Sequence, residues 1–172
     1  MKSFFPFLTL TTLCLVSAAT AISADLPAGE AEEGFVCLFN GKDLDGWQGA
    51  VQGYTVEDGA IVCRKGGNLY TAKPYSNFIL RLEFKVPPGG NNGLGIRSGV
   101  QGNPAYSAME LQVLDNEAPC YKNLKPYQYH GSVYGVAPAK RGFLRPAGEW
   151  NSQEVRAEGS HIQVILNGHT IV

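Results

Sequence analysis

Two carboxylates and an amide lie close together near the middle of the chain, in the run MELQVLDN, as Glu110, Gln112 and Asp115. If this run is a strand, Glu110 and Gln112 share one face, because successive side chains of a strand alternate. Asp115 points the other way unless a bulge at residues 113–114 brings it back beside Glu110. Two carboxyl groups on one face can act as acid and base across a glycosidic bond. The plain alternative is a half-buried strand whose polar side is solvated.

Other runs carry side chains that could serve the same site. They are Asn92 and Arg97 in NNGLGIRS, Tyr106, His130 and Tyr134 in QYHGSVYG, and Trp150 and Asn151 in GEWN. Together they supply amides, a guanidinium, an imidazole, phenols and an indole. Two of them have simpler interpretations, since Arg97 could form a surface ion pair and His130 could be a structural histidine.

Short apolar or alternating runs, separated by glycine-containing turns, must position these side chains. The run 78–86 alternates, so Leu80, Leu82, Phe84 and Val86 are expected to face the core. Further strands are expected at residues 36–39, 54–56, 60–63, 68–71, 93–98, 108–114, 131–135, 151–157 and 161–166. No segment of helical length keeps a 3.6-residue period, so any helix is expected to be short. The pattern predicts an all-β fold, a two-sheet antiparallel sandwich.

Length and charge narrow the class of protein. The 172 residues suit one domain, which we place at residues 35–172. With 14 Lys and Arg against 15 Asp and Glu, the net charge is -1. No basic face is therefore available for a nucleic acid, which depends on phosphate contacts. The oligomeric state is not predictable from these features.

The first 24 residues read as a cleavable signal peptide, with Lys2 before an apolar run and small residues for cleavage near Ala21 or Ala24. The apolar run is shorter than a spanning helix needs, so stable membrane insertion is not expected. We therefore expect the protein to be secreted or periplasmic. Residues 25–34 are expected to form a flexible leader. Cleavage leaves Cys37, Cys63 and Cys120, an odd number that allows one disulfide or none.

The chain stops just after the strand and turn at residues 161–168, where a return strand of a hairpin would begin. We therefore expect the chain to be a fragment whose sandwich lacks its closing strands, which would leave an unpaired edge.

The strand around Glu110 resembles the E-x-D-x-x-E strand of laminarinase-type glucanases, with Gln112 and Asp115 as departures from that pattern. A closer resemblance covers residues 34–172. The run GFVCLFNGKDLDGW at residues 34–47 is similar to the opening motif of the 3-keto-disaccharide hydrolase domain family. The motifs at residues 92–97, 110–115, 130–134 and 148–151 match that family in the same order.

The resemblance implies a concanavalin A-like jelly roll that acts on glycosides already oxidised at C3 of the sugar. A ketone at C3 makes the C2 proton acidic, so a base can remove it, the aglycone can leave from C1, and water can add back. The roles that it implies are these: Glu110 or His130 as base, Arg97 or Asn92 holding the enolate oxygen, Asp115 or Tyr134 assisting the leaving group, Trp150 and Tyr106 stacking on the sugar, and Gln112 and Asn151 binding substrate.

Two other functions fit the same residues. A carbohydrate-binding module would need only an aromatic strip on the same fold, and a conventional glucanase would cleave unoxidised sugars. No cofactor is expected. A calcium ion held by Asp115, Asn116 and Glu117 is the one conceivable exception, although the spaced loop of an established calcium site is missing.

Overall fold

The computed structural model describes residues 26–100 and 108–172. Contacts divide the chain into two compact units, one ending at Leu69 and the other running from Tyr70 to Val172. Throughout the described residues the regular elements are strands and three 3₁₀ helices of three residues each, as the sequence predicts. No helix among these residues is long and apolar enough to span a membrane. The expected signal peptide at residues 1–24 lies outside the described part of the chain.

The first unit contains β1 (Trp47–Gly49), a 3₁₀ helix (Val51–Gly53), β2 (Tyr54–Glu57) and β3 (Ala60–Cys63). The strands β2 and β3 form an antiparallel hairpin in which Glu57 pairs with Ala60. The turn between them has positive φ at both central residues, Asp58 and Gly59. This is the twist that two-residue hairpins favour, and it agrees with a glycine-containing turn between the strands expected at residues 54–56 and 60–63. The strand expected at residues 36–39 does not form.

The strand β4 (Leu69–Thr71) lies at the division between the units. The second unit continues with β5 (Phe78–Lys85), β6 (Asn91–Ile96), β7 (Met109–Leu114), 3₁₀ helices at Pro119–Tyr121 and Pro126–Gln128, β8 (Trp150–Glu158), β9 (His161–Leu166) and β10 (His169–Thr170). Its larger sheet has four antiparallel strands in the order β10-β9-β8-β5. Its second sheet pairs β6 with β7, and an isolated bridge joins Leu111 to Val133. The strand expected at residues 131–135 is reduced to such bridges.

Alternation along the strands decides which side chains meet between these two sheets. On β8 every second residue from Asn151 to Ala157 is buried. On β5 the positions predicted to face the core are half-buried and the intervening ones are exposed, and Val86 is buried after the strand ends. The core joins Leu111 of β7 to Val155 of β8 and Val164 of β9, all fully buried. The second unit is therefore an all-β antiparallel sandwich, as predicted.

Gly131 redirects the chain just before the bridge at Val133. Its φ is +81°, and a Cβ at this position would lie 2.3 Å from Cδ1 of Ile171. Both facts favour glycine, since other residues rarely adopt positive φ and a Cβ here would force the Ile171 side chain to shift. As a result His130 and Ser132 do not follow simple strand alternation.

The three cysteines that follow residue 25 are free and exposed. Three cysteines allow one disulfide or none, and in the structure none forms among them.

Candidate active site

The outer face of β7 carries two of the predicted site residues. Leu111 points into the core, so Glu110 and Gln112 on either side of it point away from it. On β6 they lie opposite Gly95 and Gly93. On the other side, Ser132 accepts a backbone hydrogen bond from Gln112. The site thus lies on β7. Gly93 and Gly95 of β6 lie on one side of it, and the segment bridged at Val133 lies on the other.

The Glu110 carboxylate lies across Gly93. A Cβ built on Gly93 would be 1.7 Å from Oε1 of Glu110, and the φ of Gly93 is not positive. Gly93 is thus required here by the side chain above it and not by its own backbone. Without a Cβ, β6 presents a flat backbone surface against which the carboxylate rests.

Glu110 is half-buried, and this desolvation raises the pKa of its carboxyl group. Its carboxylate has no hydrogen-bond or ion-pair partner in the described residues. A carboxylate that is desolvated but not neutralised is a stronger base than one in water. The electrostatics of this face therefore suit proton abstraction near neutral pH.

Two amides and a phenol are linked to Glu110 and Gln112 by hydrogen bonds, either directly or through one another. Nε2 of Gln112 donates a hydrogen bond of 3.0 Å to Oδ1 of Asn91. The backbone N–H of Tyr134 donates to the carbonyl of Glu110 at 2.8 Å, and the Tyr134 hydroxyl accepts from Nε2 of Gln128 at 2.9 Å. Asn91, Gly93 and Gln128 were not predicted as site residues, because only strand pairing and the fold of the 115–130 loop bring them here.

His130 lies on the other side of this sheet, between the two layers. It is 2% exposed, its ring stacks on Phe84, and Nε2 is 3.1 Å from Oε1 of Gln153 on the inner face of β8. The backbone N–H of Leu114 donates a long, 3.4 Å bond to Nδ1, so the proton is on Nε2. Burial lowers the pKa of His130 to about 4. A neutral ring with both nitrogens engaged is a structural histidine.

Asp115 follows the end of β7, and no bulge precedes it because the register with β6 runs one for one to Leu114. Its carboxylate accepts backbone N–H bonds from Gly89 at 2.9 Å and from Glu117 at 3.2 Å. The bulge that would place it beside Glu110 is absent, and its oxygens hold two turns together.

Arg97 follows the last residue of β6, with φ of +54°. Its Nε donates to the carbonyl of Ser76 at 2.7 Å, and its guanidinium also donates to the carbonyl of Gly159 and to Oδ1 of Asn77 at 3.2 Å. These bonds tie three loops together at one end of the sandwich. The surface ion pair considered from the sequence does not form in the described residues.

Three further predicted residues have contacts with groups other than Glu110. Trp150 alternates to the outer face of β8, where Nζ of Lys85 is 4.9 Å from its ring centre. Asn151 is buried and accepts the backbone N–H of Arg145. Asn92 is exposed and accepts the N–H of Gly93. Tyr106 lies outside the described residues.

An open groove of about 460 Å³ lies beside the end of β7, with Asp115, Cys120 and Leu144 in its walls. Glu110 is not one of its lining residues, so the groove and the Glu110 face are different features. No group of three or more His, Cys, Asp or Glu residues in the described segments is placed to hold a metal ion.

The fold and this face define the class: an all-β sandwich domain with a half-buried carboxylate that has no partner in the described residues, on the face of β7 that points away from the core. Residues 34–172 match the family model described as a 3-keto-alpha-glucoside-1,2-lyase-like domain. The chain belongs to this family, which confirms the resemblance seen in its motifs.

Similarity to individual proteins agrees with this family assignment. The chain is 33% identical over 168 residues to a 3-keto-disaccharide hydrolase of Bacteroides thetaiotaomicron, a match that covers 81% of this chain and 57% of that protein. The chain thus spans less than two thirds of this curated relative. Two crystal structures of candidate glycosyl hydrolases from Parabacteroides distasonis are also similar. One is 30% identical with a TM-score of 0.74, covering 87% of this chain and 75% of the other. The second is 29% identical with a TM-score of 0.68, covering 76% and 67%.

Proposed function

We propose that this chain cleaves glycosides that carry a ketone at C3 of the sugar, with Glu110 as the base that removes the C2 proton. The observation that carries the proposal is the half-buried Glu110 carboxylate, which has a raised pKa and no partner in the described residues. The family description, 3-keto-alpha-glucoside-1,2-lyase-like, and the relative named 3-keto-disaccharide hydrolase support this substrate class.

The reaction needs a base more than it needs a pair of acids. Glu110 takes the C2 proton, and the electron pair of that C–H bond forms a C2=C3 double bond while the ketone becomes an enolate. The enolate then restores the ketone, a C1=C2 double bond forms, and the aglycone leaves C1 with its oxygen. That oxygen takes up a proton, and Glu110 releases the proton that it removed. Water adds to the unsaturated ketone, with its hydroxyl at C1 and its proton at C2. The products are the free 3-keto sugar and the aglycone alcohol.

Glu110 is the better of the two predicted bases. Desolvation raises the pKa of the Glu110 carboxyl group, which makes its carboxylate a stronger proton acceptor than a fully solvated one. His130 is buried between the sheets with both ring nitrogens engaged, and proton transfer to a substrate would first require those contacts to break.

The test is cleavage of a 3-keto-disaccharide by the full chain and by Glu110→Gln, with substrate deuterated at C2 run in parallel. We expect the wild-type protein to release the 3-keto sugar, to react more slowly with the deuterated substrate, and to lose about 100-fold or more in kcat on Glu110→Gln. Glu83→Gln is the matched control, because Glu83 is an exposed carboxylate on the outward side of β5.

Three results would contradict the proposal in different ways. Binding of oligosaccharide without cleavage would favour a carbohydrate-binding module. Equal cleavage of oxidised and unoxidised glycosides, without an isotope effect, would favour a conventional glucanase. Full activity of Glu110→Gln would show that another group is the base.

We also propose that the protein is exported from the cytoplasm. Residues 1–24 direct secretion and are removed near Ala21 or Ala24, which places the enzyme in the periplasm or outside the cell. N-terminal sequencing of the protein recovered from an expressing bacterium tests this point. An intact Met1 on protein retained in the cytoplasm would contradict it.

A further inference from the structure

The side chain of Gln128 has a defined orientation. Its Oε1 accepts the backbone N–H of Lys125 at 3.0 Å, which caps the 3₁₀ helix Pro126–Gln128. A backbone N–H can only donate, so the amide oxygen of Gln128 must face Lys125 and its NH₂ group must face the other way. The usual ambiguity between amide nitrogen and oxygen is thereby removed.

The NH₂ group of Gln128 faces Tyr134, with Nε2 2.9 Å from the phenol oxygen. Because this group only donates, the hydroxyl of Tyr134 is the acceptor, and its own hydrogen must be directed elsewhere. In the described part of the chain that hydrogen has no acceptor. Within residues 26–100 and 108–172, Tyr134 therefore presents an O–H donor that points away from Gln128 and has no acceptor.

Tyr134 lies next to Glu110. The antiparallel bridge between Leu111 and Val133 and the bond from the Tyr134 N–H to the Glu110 carbonyl put Tyr134 and Glu110 directly opposite each other. Opposed residues of an antiparallel pair share a face, with Cβ atoms about 5 Å apart. The donor and the carboxylate thus belong to the same side of the sheet.

We propose that Tyr134 donates a hydrogen bond to the C3 ketone oxygen of the substrate and that Gln128 is the positioning residue that keeps this hydroxyl pointed outward. The inference rests on the function proposed above and extends it to a second group at the same face. As Glu110 removes the C2 proton, negative charge develops on the ketone oxygen, and a donor oriented in advance stabilises it without reorganisation. Arg97, which the sequence suggested for this role, is committed to loop carbonyls.

The decisive variant is Gln128→Glu. It keeps an oxygen for the Lys125 N–H but replaces the donating NH₂ by an acceptor, so the Tyr134 hydrogen turns towards residue 128 and away from the substrate. We expect kcat of Gln128→Glu to fall about 100-fold, with KM changed less than threefold. We expect Tyr134→Phe to lower kcat by a similar factor. Gln52→Glu, the same change at an exposed position of the first unit, should leave kcat unchanged.

Substrates with good and poor leaving groups separate the ketone from the aglycone as the partner of Tyr134. The loss on Tyr134→Phe should be the same for both if the hydroxyl serves the ketone oxygen. A loss that grows as the leaving group becomes poorer would overturn the assignment to the ketone.

Activity of the wild-type protein separates this inference from the proposed function. If the wild-type protein does not cleave 3-keto-glycosides, both fail together. If it does and Gln128→Glu retains full kcat, only the positioning role fails. Should Gln128→Glu not fold, Tyr134→Phe, which deletes one oxygen, carries the test by itself.

Discussion

The Cβ that Gly93 lacks would lie 1.7 Å from Oε1 of Glu110. The missing methyl group lets a carboxylate rest on the backbone of the neighbouring strand, where it is partly desolvated. This contact links the NNGLGIR and MELQVLD motifs in space, although they are separate in the sequence.

Gly93→Ala should leave the protein folded and lower its activity. The atoms that a new Cβ meets belong to the flexible end of Glu110, so the side chain can swing into solvent while the strands stay paired. We expect kcat for a 3-keto-disaccharide to fall about 10-fold to 100-fold, since a displacement of about 1 Å can have this effect, with the melting temperature nearly unchanged.

The matched control for this change is Gly99→Ala, because a Cβ there meets nothing within 4 Å and the backbone φ is ordinary. Equal activity of Gly93→Ala and Gly99→Ala would show that the position of the Glu110 carboxylate is not critical.

The pH dependence of activity should report Glu110. A base must be ionised, so kcat/KM should rise with pH through the pKa of Glu110 and level off above it. Because desolvation raises that pKa, the midpoint should lie above the usual value for a glutamate. Rates measured from about pH 4 to about pH 8 check this. A midpoint at or below the usual value would show that the carboxylate is fully solvated when it acts.

Glu110→Gln should be more stable than the wild-type protein at neutral pH. A raised pKa in the folded state means that folding favours the protonated form, so this group's contribution to stability falls as pH rises from its unfolded pKa through its folded pKa. The neutral amide lacks this penalty. Urea unfolding at about pH 7.5 should show a higher midpoint for the variant, whereas an equal or lower midpoint would mean that the charge is compensated.

His130 should make the protein sensitive to mild acid. Its pKa is lowered to about 4 in the folded state from 6.5, so the unfolded chain gains a proton first as pH falls. Stability from this group is complete above the unfolded value and is lost as pH falls towards the folded value, by about 2 kcal/mol between pH 7.5 and pH 5.

Urea unfolding of wild type and His130→Gln at those two values of pH measures the effect of His130. The variant should be less stable at neutral pH and should lose less on acidification. His161→Gln, at an exposed position of β9, should keep the wild-type loss. A loss in His130→Gln as large as in the wild-type protein would contradict the prediction.

Arg97→Lys should lower stability and leave the chemistry intact. A lysine keeps the charge but cannot donate to the carbonyls of Ser76 and Gly159 and to Asn77 together. We expect a loss of about 1 to 3 kcal/mol in the free energy of unfolding, with kcat within twofold of wild type. The contrary result, normal stability with a large loss of kcat, would return Arg97 to the enolate role that the sequence suggested.

Much of the fold follows from local patterns. The alternation from Phe78 to Lys85 predicted which side of β5 faces the core, and the hairpin turn at Asp58 and Gly59 is one of the glycine-containing turns expected between strands. The strand His161–Leu166 has the predicted bounds. These features depend on neighbours along the chain, so periodicity and turn chemistry are sufficient to find them.

The composition of the site depends on contacts between distant residues. The sequence by itself determined the all-β class, the family and the placement of Glu110 and Gln112 on one face of a strand, because a strand alternates whatever surrounds it. Tertiary structure alone decided that His130 turns inward at Gly131, that Arg97 binds loop carbonyls, that Gly93 and Tyr134 lie beside Glu110, and that Gln128 binds Tyr134. Pairing register and close packing are set by the whole sandwich, and the chain carries no local signal for them.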